Sequence, residues 1–146
     1  MYHPRAKAFE ILLHNERILV QEYNIDNEQY DQPLGSSIEF GERSTSKIIR
    51  EFKEELGVQV NITAYVGCLE NILSVNDEIS HETIQLYILH FLDTSLHTID
   101  IILLRNEQTK SYAKWIPITA FFQGEKILYP NGLMKCIETK IKDGIL

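Results

Sequence analysis

The sequence predicts an α+β fold built on a mixed sheet, not a doubly wound parallel one. Three observations carry that expectation. Strand-like segments outnumber helical ones and do not alternate with them. The run 58–93 is dense in β-branched and aromatic residues, which suit a pleated, half-buried surface. Helical signals are confined to 48–56, a short piece ending at Phe122, and the C-terminal segment 131–142.

In order, residues 6–13 alternate loosely, then run apolar, and read as a strand. Residues 17–23 read as its partner, with His14-Asn15-Glu16 as the turn. The polar stretch 25–32 reads as a loop. Pro33-Leu34-Gly35-Ser36-Ser37 reads as a break, with a short strand at 38–40 behind it. Residues 41–46 hold turn and cap types, with Ser44, Thr45 or Ser46 as the N-cap. Ile48, Phe52 and Leu56 then recur at i, i+4 and i+8, an apolar stripe for packing on a sheet. Gly57 is placed to end that helix in the left-handed region, with Val58 packing back.

Two long strands fit 61–73 and 82–92, with Asn76-Asp77-Glu78 between them. Residues 114–118 read as a last strand around Trp115. Pro117-Ile118-Thr119 opens the short helical piece, and Pro130 stands near the start of the final helix. Trp115, Phe121 and Phe122 read as core. No repeat, low-complexity tract or linker interrupts the chain, so residues 1–146 are expected to form one domain.

The 146 residues are enough to bury about 68–70% of the unfolded surface. A net charge of −7 and a pI near 5.2 argue against direct DNA or RNA binding, which needs a basic stripe. An anionic substrate remains compatible if metal ions bridge it to acidic groups. Cys68 and Cys136 belong to no C-x-x-C pattern and read as free thiols. Arg5, Lys7 and Glu10 interrupt any apolar leader, and no run reaches the ~18 apolar residues of a membrane span. A cytoplasmic enzyme is the expectation.

Glu51, Glu54 and Glu55 stand at i, i+3 and i+4 of the first helix, with Arg50 before them and Glu42 one loop upstream. Such spacing crowds three carboxylates onto one turn, where like charges repel by roughly 0.2–0.5 kcal/mol per pair. Either water or a cation must compensate them.

The segment 35–58 reads Gly-Ser-Ser-Ile-Glu-Phe-Gly-Glu-Arg-Ser-Thr-Ser-Lys-Ile-Ile-Arg-Glu-Phe-Lys-Glu-Glu-Leu-Gly-Val. It resembles the Nudix box, G-x5-E-x7-R-E-U-x-E-E-x-G-U, where U is a bulky aliphatic residue. Glu42, Arg50, Glu51, Glu54, Glu55, Gly57 and Val58 fall in register, while Ser36 replaces the first glycine and Phe52 the first U. A chance match at the Glu, Arg and Gly positions is on the order of 10⁻⁷ to 10⁻⁸ per starting point.

The resemblance implies a Nudix-like mixed sheet sandwiched between helices (α/β/α). It also implies hydrolysis of a pyrophosphate bond in a nucleoside diphosphate linked to another moiety, assisted by Mg²⁺ or Mn²⁺. Glu54, Glu55 and the Gly35 carbonyl are the implied metal ligands. Glu51 is a ligand or the base that orients water. Arg50 holds the box carboxylates in rotamer, and Glu42 ties the loop to the helix. A further carboxylate outside the box is sought among Glu70, Glu82 and Glu107. Glu82 is favoured, on a strand expected to face the box.

Tyr23, Tyr30 and Tyr87 are candidates for stacking a nucleobase. Specificity is expected from 25–33 and from segments near Asn76 and Asn106. A homodimer is a further implication of the resemblance. The alternative to an enzyme is a catalytically weak Nudix-fold nucleotide-binding or sensor module, favoured by Ser36 alone.

Overall fold

The computed structural model describes residues 3–25, 27–104 and 111–144. The elements are β1 (Arg5–His14), β2 (Arg17–Ile25), β3 (Glu28–Ser37), α1 (Ser44–Leu56), β4 (Val60–Val75) and β5 (Glu78–Phe91), then a 3₁₀ turn (Thr94–Thr98), β6 (Ile101–Leu104), β7 (Ser111–Pro117), α2 (Ile118–Phe122) and α3 (Leu133–Lys142). The strands form a mixed sheet in the order β4-β5-β1-β3-β2-β7-β6. The β1–β5 pair is parallel and the other ladders are antiparallel.

β1 shows why the sheet lies between helices. Residues 8–12 are all buried, so both faces of this strand are covered. Ala8 and Leu12 point toward Ile48 and Phe52 of α1. Phe9 and Ile11 point the other way, toward Leu133 and Ile137 of α3 and Phe121 of α2. The α+β class and the α/β/α layering expected from sequence both hold. Among the described residues no helix is long and apolar enough to cross a membrane.

The stretch expected as a loop at 25–32 belongs largely to β3. Its polar residues find cross-strand partners on β2, with Tyr23 opposite Tyr30 and Asn24 opposite Gln29. The Gln29 amide also donates to Glu22 at 3.0 Å, so side-chain pairing replaces apolar burial on this hairpin. The strand expected at 38–40 is absent. Only the Ile38 amide continues the ladder, to the Ala6 carbonyl at 2.8 Å, and Phe40 is fully exposed.

Both long hairpins turn more tightly than expected. Asn15 and Glu16 (φ 50° and 62°), and likewise Asn76 and Asp77 (51° and 63°), adopt the left-handed region that a two-residue turn requires. The β4–β5 ladder therefore runs out to Val75 and Glu78.

α1 begins earlier than the apolar stripe, at Ser44, and no side chain caps it. Ser44 instead hydrogen-bonds the Tyr87 hydroxyl across 2.6 Å. The C-terminal end is as expected: Gly57 at φ 65° donates to the Lys53 carbonyl, and the Val58 amide reaches Phe52. β6 was not anticipated. Four residues pairing only with β7 give too little periodicity to read. Trp115 and Phe121 are core residues, but Phe122 is exposed, because a helix as short as α2 buries one side only.

Candidate active site

The box folds around the edge where β3 meets α1. Phe9 of β1 pairs with Gly35 of β3, and α1 packs through Ile48 and Phe52 on the opposite face of these strands, with Ala8, Leu12 and Leu34. The approach is close. A Cβ on Gly35 would stand 2.4 Å from the Ala8 carbonyl oxygen and 2.5 Å from Phe9 Cδ1, at a backbone φ of +155°. Gly35 is thus a packed strand position, not the flexible break expected from sequence.

Arg50 joins loop to helix. Its guanidinium grips Glu42 through Nε (2.8 Å) and a terminal nitrogen (3.0 Å), and reaches Glu54 at 3.2 Å. A forked pair of this kind fixes direction as well as distance. The Glu42 carboxyl is held below the ordinary glutamate range, chiefly by the hydrogen bond from Arg50.

Glu51 is engaged at both oxygens. Ser36 Oγ donates to one. The other lies 2.8 Å from Lys47 Nζ. Lys47 is wholly buried, and its ammonium also donates to Glu10 Oε1 at 3.2 Å and to the Ala8 carbonyl at 2.9 Å. Glu10 is buried as well, and its second oxygen has no partner. Burial pushes the Glu10 carboxyl well above its ordinary range, against the pull of Lys47.

Glu55 is only half-buried and has no salt bridge among the described residues. Desolvation raises its pKa first, and the neighbouring charge of Glu51 raises it further. It faces a cleft of about 590 Å³ together with Gly35, Ser36, Tyr23, Tyr112 and Lys114. Lys114 crosses to Glu22 at 2.8 Å on the same wall. Among the described residues, no three carboxylate, imidazole or thiol groups are close enough to hold a metal ion as they stand.

Glu82 does not join the box. It sits in β5 opposite Arg5, on the face covered by α3. The expectation that it faces the box is corrected by strand parity, since even positions of β5 point away from α1. Its partners are Lys7 at 2.5 Å, Tyr129 Oη at 2.8 Å and Asn71 at 3.3 Å. Burial alone raises its pKa, but these partners outweigh burial and hold it below the ordinary range.

A group whose folded pKa is lowered stabilises the fold above its unfolded pKa, and that contribution disappears as pH falls through the folded value. Glu82→Gln is therefore expected to cost about 1.5–3 kcal/mol at pH 7. Denaturant melts should show the gap to wild type closing in acid, while turnover per folded molecule stays unchanged. Glu70 is exposed on β4, and Glu107 and Asn106 lie outside the described residues.

Of the tyrosines, Tyr23 reaches the cleft. Tyr87 packs on the α1 side and bonds Ser44, and Tyr30 donates to Glu28. The sequence alone assigns no site role to Tyr112, Lys114, Lys47 or Glu10. For Glu10 a signal existed, a charge embedded in the apolar run Ala8-Phe9-Glu10-Ile11-Leu12, while Lys47, preceded by Thr45-Ser46, carried none of that kind.

Sequence comparison with curated proteins gives no match. Among solved structures, a NUDIX hydrolase from Nitrosomonas europaea superposes at a TM-score of 0.71 with 14% identity, over 97% of this chain and 90% of that one. A UDP-X diphosphatase gives 0.65 and 15%, over 99% and 65%. An ADP-ribose pyrophosphatase from Streptococcus suis gives 0.58 and 14%, over 94% and 92%. Identities this low show a shared fold alone. The NUDIX domain model, however, matches residues 1–132, the span that holds the carboxylate turn, its arginine and the cleft. By that match the chain belongs to the NUDIX family.

Proposed function

We propose that this protein hydrolyses a pyrophosphate bond in a nucleoside diphosphate linked to another moiety, with Mg²⁺ or Mn²⁺ as the helper ion. The observation that carries the reading is Glu55. It is a half-desolvated carboxylate with raised pKa, beside two other glutamates, at a cleft large enough for a nucleotide.

The donor set fits a hard dication. Glu54, Glu55 and the Gly35 carbonyl are oxygen ligands of the kind Mg²⁺ takes, with Glu51 adjacent. Such an ion, when bound, neutralises phosphate oxygens and acidifies water. The rest falls to the chain itself. Arg50 holds Glu54 and the Glu42 loop in one arrangement. Glu51, fixed from two sides, offers an immobile acceptor beside the cleft. Lys114 places positive charge on a wall that an anionic substrate must pass. Tyr23 and Tyr112 give that wall aromatic surface for a base.

Two of the similar structures are named for nucleoside diphosphates joined to another group, UDP-X and ADP-ribose, which supports the substrate class. We take residues 1–146 to act as one domain, in the cytoplasm, with a homodimer as the expected assembly.

A second reading has one observation in its favour. Ser36 and Lys47 occupy both oxygens of Glu51, as suits a catalytically weak nucleotide-binding or sensor module. A screen for phosphate and pyrophosphate release with Mg²⁺ separates the two. It should cover nucleoside triphosphates, dinucleoside polyphosphates, ADP-ribose and nucleotide sugars. Turnover of a nucleoside diphosphate derivative supports hydrolysis. Tight binding without release supports the module.

A further inference from the structure

We propose that Lys47 is a resident cation of the box: it positions Glu51 and weakens the site's affinity for divalent metal. The inference rests on the metal reading above and adds a residue to it.

An ammonium has three N–H donors. Lys47 directs two of its donors to the Ala8 carbonyl and Glu10 Oε1, and its ammonium forms an ion pair with Glu51 Oε2 at 2.8 Å. The group is wholly buried and does not line the cleft. Glu51 spends one oxygen on it and the other on Ser36. A carboxylate binds a hard dication through free lone pairs and uncompensated charge. Glu51 has little of either. Two devices of this chain, the lysine beneath the helix and the serine at the box's first glycine position, thus act on the same carboxylate. Cation binding is left mainly to Glu55, Glu54 and the Gly35 carbonyl.

Lys47 is a positioning residue, because it touches Glu51 and not the cleft. Lys47→Met removes the charge and keeps the length. Glu10 would then be buried without its cation, so Lys47→Met/Glu10→Met supplies a form with no orphaned charge, and such replacements are often neutral or stabilising.

The test is a Mn²⁺ titration of the folded proteins, read by the electron paramagnetic resonance signal of free ion, with thermal melts alongside. Both lysine variants should bind Mn²⁺ about tenfold more tightly than wild type. Ser36→Gly, which frees the other Glu51 oxygen, should tighten binding by roughly two- to fivefold. Unchanged or weaker binding in the double variant overturns the proposal. If neither lysine variant folds, unchanged affinity in Ser36→Gly overturns it. Wild-type binding that Glu55→Gln removes, while the lysine variants leave it unaltered, sinks the Lys47 role and spares the metal site. No binding by any form sinks both.

Discussion

Glu55→Gln should lower turnover on the order of 10²–10³-fold at saturating Mg²⁺ while the protein stays folded. The amide keeps the size and removes the charge. Glu55 is the box carboxylate least compensated by the protein: Lys47 and Ser36 serve Glu51, and Arg50 serves Glu54. On the proposed reading it is therefore the one left for an external cation. Folding has no stake in its charge, because burial and like charges already disfavour the ionised form. The melting temperature should be equal to or above that of wild type. Loss of turnover together with loss of fold would show a structural role instead. Wild-type rates would remove Glu55 from the site. Glu54→Gln is expected to act in the same direction, and it also frees Arg50 to hold Glu42 alone.

The largest expected effect on stability is at Gly35. An alanine methyl there meets backbone on one side and a core ring on the other. Neither yields cheaply, since Phe9 is fully buried and stands directly opposite Gly35 in the β1–β3 register. Overpacking and a strained backbone each cost about 1–3 kcal/mol. Together they should lower the melting temperature by roughly 10 °C for a chain of this size. Gly41→Ala is the control. Its φ of +83° is unfavourable for alanine, but the space around it is open, so its cost should stay near 1 kcal/mol. Equal melting temperatures for the two variants would show that the β1–β3 approach is not tight in solution.

Much of this was legible in the chain. The helix stripe, the Gly57 stop and the strand-rich middle follow from local periodicity, and the register of six Glu, Arg and Gly positions marks the candidate site. What failed was whatever depends on a partner strand. β3 read as a loop because its polar residues are satisfied across the hairpin, which no single-strand pattern reveals. Glu82 was aimed at the wrong face because its face depends on the parity of β5 in a sheet whose register the sequence does not state. Lys47 and Glu10 lie 37 residues apart and became a pair only when α1 lay across β1. Tyr112 and Lys114 reached the cleft through the antiparallel β2–β7 ladder.

Anomalous diffraction from crystals soaked in Mn²⁺ tests the central claim most directly. A manganese peak should lie against Glu55, with Glu54 or the Gly35 carbonyl in its coordination shell. Density showing the glutamates of α1 in bulk solvent, with no ion beside them at millimolar Mn²⁺, would contradict it.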